Sequence, residues 1–113
     1  MSVLPDMSQA NVTVIGDIML DRFWSGASRR VSPEAPVPVV SVTRLEDRAG
    51  GAGNVAVNLA ELGVSVSLVG LCGDDEHARA LRACVESAWV RWNVMPCAAD
   101  TIVKLRVLSR NQQ

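Results

Sequence analysis

Five residues constrain this chain more than any others. Gly50, Gly51, Ala52, Gly53 and Asn54 stand directly before Val55 to Leu62, where apolar residues at 55, 56, 59, 60 and 62 mark one face of a helix. Glycine lets a chain turn sharply and lets its backbone come close to whatever it faces. The first N–H groups of the helix, at the positive end of its dipole, would then look into that turn. Gly63 falls where helices close on a left-handed residue, and Gly73 follows it with nine residues between. The segment predicts turn, helix, strand and turn in succession.

The flanking residues extend that pattern. Residues 1–11 read as a flexible terminus, and Val12 to Gly16 as a short buried strand. Asp17 to Asp21 follows, then a short strand from Phe23 ending in a turn at Gly26. Prolines 33, 36 and 38 exclude helix over 32–38, so Val39 to Thr43 is expected as an edge strand and Leu45 to Arg48 as a charged loop. Val64 to Cys72 is apolar throughout, as in a parallel strand covered on both faces. Gly73, Asp74 and Asp75 form a turn and cap for a helix over His77 to Ala88, whose buried stripe is Ala80, Leu81, Cys84, Val85 and Ala88. Trp89 to Met95 is a further strand. Thr101 to Ser109 alternates, with Lys104 and Arg106 on one face. This order predicts an α/β fold with a mostly parallel sheet.

Composition narrows the function classes. The chain has 113 residues, room for one domain, with 49% hydrophobic and 20% charged residues. Eleven basic against twelve acidic side chains leave a net charge of −1, which speaks against a nucleic-acid surface or a polybasic membrane anchor. The first residues lack the basic and apolar regions of a signal peptide, and the apolar runs are too short to span a bilayer. Cys72, Cys84 and Cys97 are odd in number and lack C-x-x-C spacing, so free thiols in a reducing cytoplasm fit better than a disulfide or zinc site.

The run Gly50 to Ala56, then Gly63, then Gly73 resembles the amino-terminal signature of the ribokinase-like (PfkB-type) carbohydrate kinases, and Gly16 to Asp21 is similar to their first strand and its acidic residue. Arg30 to Val40 and Thr101 to Gln113 resemble the D-glycero-β-D-manno-heptose 7-phosphate kinases within that family. The resemblance implies the amino-terminal part of a three-layer α/β fold with a small β lid, the lid strands at about 22–44 and 101–113, and residues 1–113 as an incomplete kinase domain. It implies transfer of the γ-phosphoryl of ATP to the anomeric hydroxyl of heptose 7-phosphate, towards ADP-heptose and lipopolysaccharide core. Relatives often carry a nucleotidyltransferase half as well. The family uses ATP and Mg2+, but its nucleotide site, anion hole and catalytic Asp in a Gly-Ala-Gly-Asp motif lie further along, and no such motif occurs here. The chain alone is therefore expected to bind nucleotide poorly and to be inactive.

Carried over residue by residue, Asp21 matches the acidic position that accepts sugar hydroxyls, Gly50 and Gly51 the backbone that closes over the sugar, and Asn54 an amide fixing another hydroxyl. The plainer readings are a solvated turn carboxylate for Asp21 and a helix cap for Asn54. The remote phosphate needs cations, and Lys104 and Arg106 share a strand face, with Arg29 and Arg30 as further candidates. An ordinary solvated strand face is the alternative. Trp24 could stack on a sugar ring, whereas Trp89 and Trp92 read as packing residues, Asp17 as a cap, and His77 has no role. No catalytic or metal-binding residue is expected.

Two rival readings stand beside this one. Gly51-x-Gly53-x-x-Ala56 fits a Rossmann-type nucleotide turn, but Leu45 to Arg48 separates it from any strand. A non-catalytic, dimerising piece is the other, with a homodimer formed through the lid strands.

Overall fold

A computed structural model describes residues 5–110, excluding the side chains of Arg29 and Arg30. Residues 1–4 of the expected flexible terminus and 111–113 of the last expected strand lie outside the described residues. Met7 and Ala10 pack against the core, joined by a bond from Ala10 N–H to the Met7 carbonyl.

Two three-stranded sheets organise the chain. In the first, β1 (Asn11–Ile15), β4 (Ser65–Gly73) and β5 (Arg91–Cys97) run parallel in the order β1-β4-β5. The helices α1 (Ala52–Glu61) and α2 (Glu76–Glu86) cover one face, where Val66 and Leu68 of β4 meet Ala56, Leu81 and Val85. Leu68, Leu81 and Val85 are fully buried, and each such aliphatic side chain stabilises the fold by about 1.5–3 kcal/mol. The opposite face carries Ile15, Leu71 and Met95, exposed among the described residues. Arg91 crosses that face to the hydroxyls of Ser65 (2.7 Å) and Ser67 (2.9 Å).

The second sheet has the order β3-β2-β6, built from β2 (Ile18–Val31), β3 (Pro38–Gly51) and β6 (Val103–Arg110). β2 and β3 form a long antiparallel ribbon closed around the prolines, and β6 runs parallel to β2. Here the structure corrects the sequence reading twice. Asp17 to Asp21 is largely strand, and Leu45 to Arg48 is the continuation of β3, not a loop. Cross-strand pairs override the weak strand propensity of these charged residues. Arg22 forks onto Asp47 at 2.8 and 3.1 Å on one face of the ribbon. The turn at Gly26 is instead a shift of register inside β2, where a Cβ would collide with the Ser41 carbonyl.

Helix ends follow local chemistry. Gly63 sits at φ 92 after α1, as its position suggested, and its N–H reaches the Ala60 carbonyl at 3.0 Å. Trp89, expected as a packing residue opening a strand, is 90% exposed and holds φ 67 beyond α2, while Trp92 packs on the core. The three cysteines are free, and only Cys72 is buried. No helix among the described residues is long and apolar enough to cross a membrane.

Asp75 caps α2, accepting the Ala78 N–H at 2.8 Å. Hydrogen bonds from the backbone and side chain of Thr101, then from Ala78, lower its pKa to about 2 from 3.8. A carboxyl with a depressed folded pKa stabilises above its unfolded pKa and loses that contribution as pH falls through the folded one. The wild-type melting temperature should therefore fall between about pH 4 and pH 2 more steeply than that of Asp75→Asn, as read by circular dichroism. Parallel curves for the two proteins would refute this.

Candidate functional site

The alternation of β2 divides its side chains between two faces. Leu20, Arg22 and Trp24 share the face that turns towards the helices, on which Leu20 is fully buried. Asp21 and Phe23 share the other. Register places Arg48 of β3 and Lys104 of β6 on either side of Asp21, and Glu46 and Arg106 on either side of Phe23. Side chains opposite one another in a sheet point to the same side. One face thus gathers two acids, a phenyl ring and three cations.

Asp21 is the unusual member. Its Oδ1 is buried and has no hydrogen-bond partner. Buried polar atoms nearly always find a partner, and leaving one unmade costs about 1–3 kcal/mol. The carboxylate lies over Gly50, where an added Cβ would come within 2.6 Å of Oδ1 and 2.8 Å of Oδ2. Glycine at 50 is thus what makes room for the carboxylate.

Gly51 turns the chain from β3 into α1 at φ 58 and ψ −132, a conformation that side chains avoid. A Cβ there would collide with the Asp17 carbonyl, which accepts the Ala52 N–H at 2.7 Å. The expected cap role of Asp17 is therefore played by its backbone. The helix begins at Ala52, earlier than its apolar pattern suggested, because glycine is compatible with the strand end and with the N-cap.

The cations are held differently. Arg48 stacks 4.9 Å from the centre of the Phe23 ring and bonds Glu46 at 3.0 Å. Arg106 approaches the same ring at 5.9 Å. Lys104 and Arg106 are both exposed on β6. Sequence reasoning missed Arg48 and Phe23. Phe23 was recoverable from its alternation with Asp21, but Arg48 was hidden once 45–48 was read as a loop.

The structure brings Asp21, Gly50, Gly51, Lys104 and Arg106 to one region, but places Asn54 differently. Asn54 is exposed in the first turn of α1 and lines a hollow of about 640 Å³ with Asp47, Cys84 and Trp89, a hollow that Asp21 and Gly50 do not line. The N-cap is Gly51, without a side-chain bond, so Asn54 does not cap the helix. Trp24 lies on the Arg22 face and lines a hollow with Arg22, Leu45 and Asp47, away from Asp21. The Rossmann reading fails for a different reason than expected. A strand does run into the glycines, but it is antiparallel and belongs to the second sheet, so the required parallel βαβ unit is absent around this turn.

The glycine turn, its helix and the flanking strands thus form one continuous pattern, and residues 9–113 match the model of the pfkB family of carbohydrate kinases. The chain belongs to that family. It is 56% identical over 112 residues to the bifunctional protein HldE of Shewanella loihica, covering 97% of this chain and 23% of that protein. It spans about a quarter of the length of such curated relatives. A carbohydrate kinase from Agrobacterium tumefaciens superposes with a TM-score of 0.72 at 22% identity, over 90% of this chain and 32% of that one. Arabidopsis thaliana ribokinase, solved with ribose and ATP, superposes with a TM-score of 0.67 at 20% identity, over 88% and 32%. The fold is thus that of the ribokinase-like kinases.

Members of this family act on ATP. No group of three or more His, Cys, Asp or Glu could hold a metal ion among the described residues. At the Gly51 turn the Asp17 carbonyl takes one N–H at the start of α1, that of Ala52. What the face can do is accept hydroxyl hydrogen bonds at Asp21 and attract an anion beside it.

Proposed function

We propose that this chain is the sugar-holding, amino-terminal part of an ATP-dependent kinase that phosphorylates the anomeric hydroxyl of D-glycero-β-D-manno-heptose 7-phosphate, towards ADP-heptose and lipopolysaccharide core. The buried, unpartnered Oδ1 of Asp21 carries the reading: a sugar hydroxyl would supply the missing donor. Gly50 keeps that position open, and Gly51 turns the backbone beside it. Asn54 is the member of the proposed set that the geometry supports least. The likeness to HldE proteins supports heptose, and the face of cations supports a phosphorylated sugar. ATP, Mg2+, the general base and the cytoplasmic setting are assigned to the complete kinase, of which residues 1–113 form an incomplete domain with the second sheet as lid. The chain alone is inactive in this reading.

The reading is tested by carrying this chain at the head of the Shewanella loihica relative, in place of the stretch it matches. Within that chimaera, Lys104→Ala or Arg106→Ala should raise KM for heptose 7-phosphate by roughly tenfold or more, since a phosphate loses a charge-assisted partner. KM for the unphosphorylated heptose should stay within about twofold. Equal losses on both sugars would make those side chains structural.

A homodimer is part of the same proposal. Leu45, Leu105 and Val107 are 46–68% exposed and lie on the Trp24 face of the lid, an apolar surface suited to a second copy. Sedimentation of the chimaera should give twice the monomer mass, and a monomer at micromolar concentration would remove this part.

A further inference from the structure

Lys104 and Arg106 sit on an edge strand that touches only β2 in its sheet, so something must set how far β6 slides along its neighbour. Register matters greatly here, because a slip of one residue would turn both cations to the opposite face. The pairing of β6 with β2 gives limited help, since only Val103 packs against the core and β6 is exposed from Lys104 onwards.

The missing constraint lies just before the strand. Thr101 is 5% exposed, and its hydroxyl donates to Asp75 Oδ1 at 2.7 Å and accepts the Gly73 N–H at 3.0 Å. Its own N–H donates to Asp75 Oδ2 at 3.0 Å. A Cβ on Gly73 would stand 2.5 Å from Asp75 Oδ2 and 2.8 Å from Thr101 N, so glycine is what lets the three approach. The carboxylate thus ties the first turn of α2 to the residue two before β6, and the Thr101 hydroxyl carries the tie on to the end of β4. The Ile102 carbonyl then receives the Leu20 N–H at 2.9 Å, and Lys104 follows level with Asp21.

We infer that Asp75 and Thr101 are positioning residues for substrate selection: they lock the start of β6 to the parallel sheet, so that Lys104 and Arg106 stand level with Asp21. The inference rests on the proposed phosphate role of those two cations. The Asp75 carboxyl is held ionised far below neutral pH, so the lock does not loosen at working pH.

The test uses the full-length chimaera with heptose 7-phosphate and the unphosphorylated heptose. Thr101→Val keeps the shape but removes the hydroxyl. It should raise KM for the phosphorylated sugar about tenfold, with kcat within about threefold and the KM of the unphosphorylated sugar unchanged. Thr101→Ser restores the hydroxyl and should return KM to within about twofold of the parent. Losses shared by both sugars, an unchanged KM in Thr101→Val, or a failure of Thr101→Ser to rescue would overturn the inference. Should Thr101→Val not fold, Asp75→Asn provides the same comparison, and collapse of both variants means that the contact serves the whole fold and not selection. Lys104→Ala is measured alongside. If it abolishes the preference for the phosphorylated sugar while Thr101→Val does not, the lock falls and the phosphate reading stands. If it leaves the preference intact, the phosphate reading falls and takes the lock with it.

Discussion

Asp21→Ala, placed in the chimaeric kinase, should raise the sugar KM by roughly two orders of magnitude while the KM for ATP moves less than about twofold. A hydrogen bond between a hydroxyl and a carboxylate contributes about 1.5–3 kcal/mol, and each 1.4 kcal/mol is tenfold in affinity. The carboxylate lies in the β2–β3 ribbon, and the proposal assigns the nucleotide to the rest of the kinase. The variant also carries a second, opposite expectation. Because Oδ1 is buried without a partner, the carboxylate contributes little to folding, so its removal should leave the urea midpoint unchanged or slightly higher. A residue that is merely structural would lose stability and activity together. Loss of ATP binding equal to the loss of sugar binding would remove Asp21 from the sugar site.

The two adjacent glycines should respond in opposite ways. At Gly51, alanine meets a backbone at φ 58 and a collision with the Asp17 carbonyl, neither of which a side-chain movement relieves. Strained backbone and overpacking each cost about 1–3 kcal/mol, so Gly51→Ala should lose roughly 3–5 kcal/mol. That is a large share of the 5–15 kcal/mol typical of a domain, and much of the protein should be insoluble. At Gly50 the added methyl meets only the end of the Asp21 side chain, which can swing aside. Gly50→Ala should therefore fold with a near-parental midpoint yet bind sugar as poorly as Asp21→Ala. Denaturant titration paired with sugar KM decides between them. Equal destabilisation at both positions would contradict the assignment of Gly50 to the carboxylate's space.

The parts of the fold that were legible in the sequence are those where one local rule has no competitor. Gly63 closes α1, Asp75 opens α2, and the β-branched run at 12–15 forms β1. Boundaries failed where distant partners decide. Leu45 to Arg48 has little strand propensity, and only pairing with Trp24 to Asp21 across the ribbon makes it strand. Arg48 was lost from the candidate site with it. The same limit explains Trp89, whose bulk suggested burial but whose place after α2 leaves it in solvent. The glycine turn was legible because only glycine meets its geometry. The orphaned oxygen of Asp21 was not, since burial of a single atom is a property of the assembled ribbon.

The central claim is that this chain forms the sugar-holding front of a heptose 7-phosphate kinase. The most direct measurement is phosphoryl transfer from labelled ATP to heptose 7-phosphate, by the chimaera and by the 113-residue chain alone. The account predicts turnover by the chimaera at a rate comparable to the Shewanella loihica parent, and none by the isolated chain above a heat-killed control. A well-folded chimaera that ignores heptose 7-phosphate but phosphorylates another sugar, or turnover by the isolated chain, would contradict it.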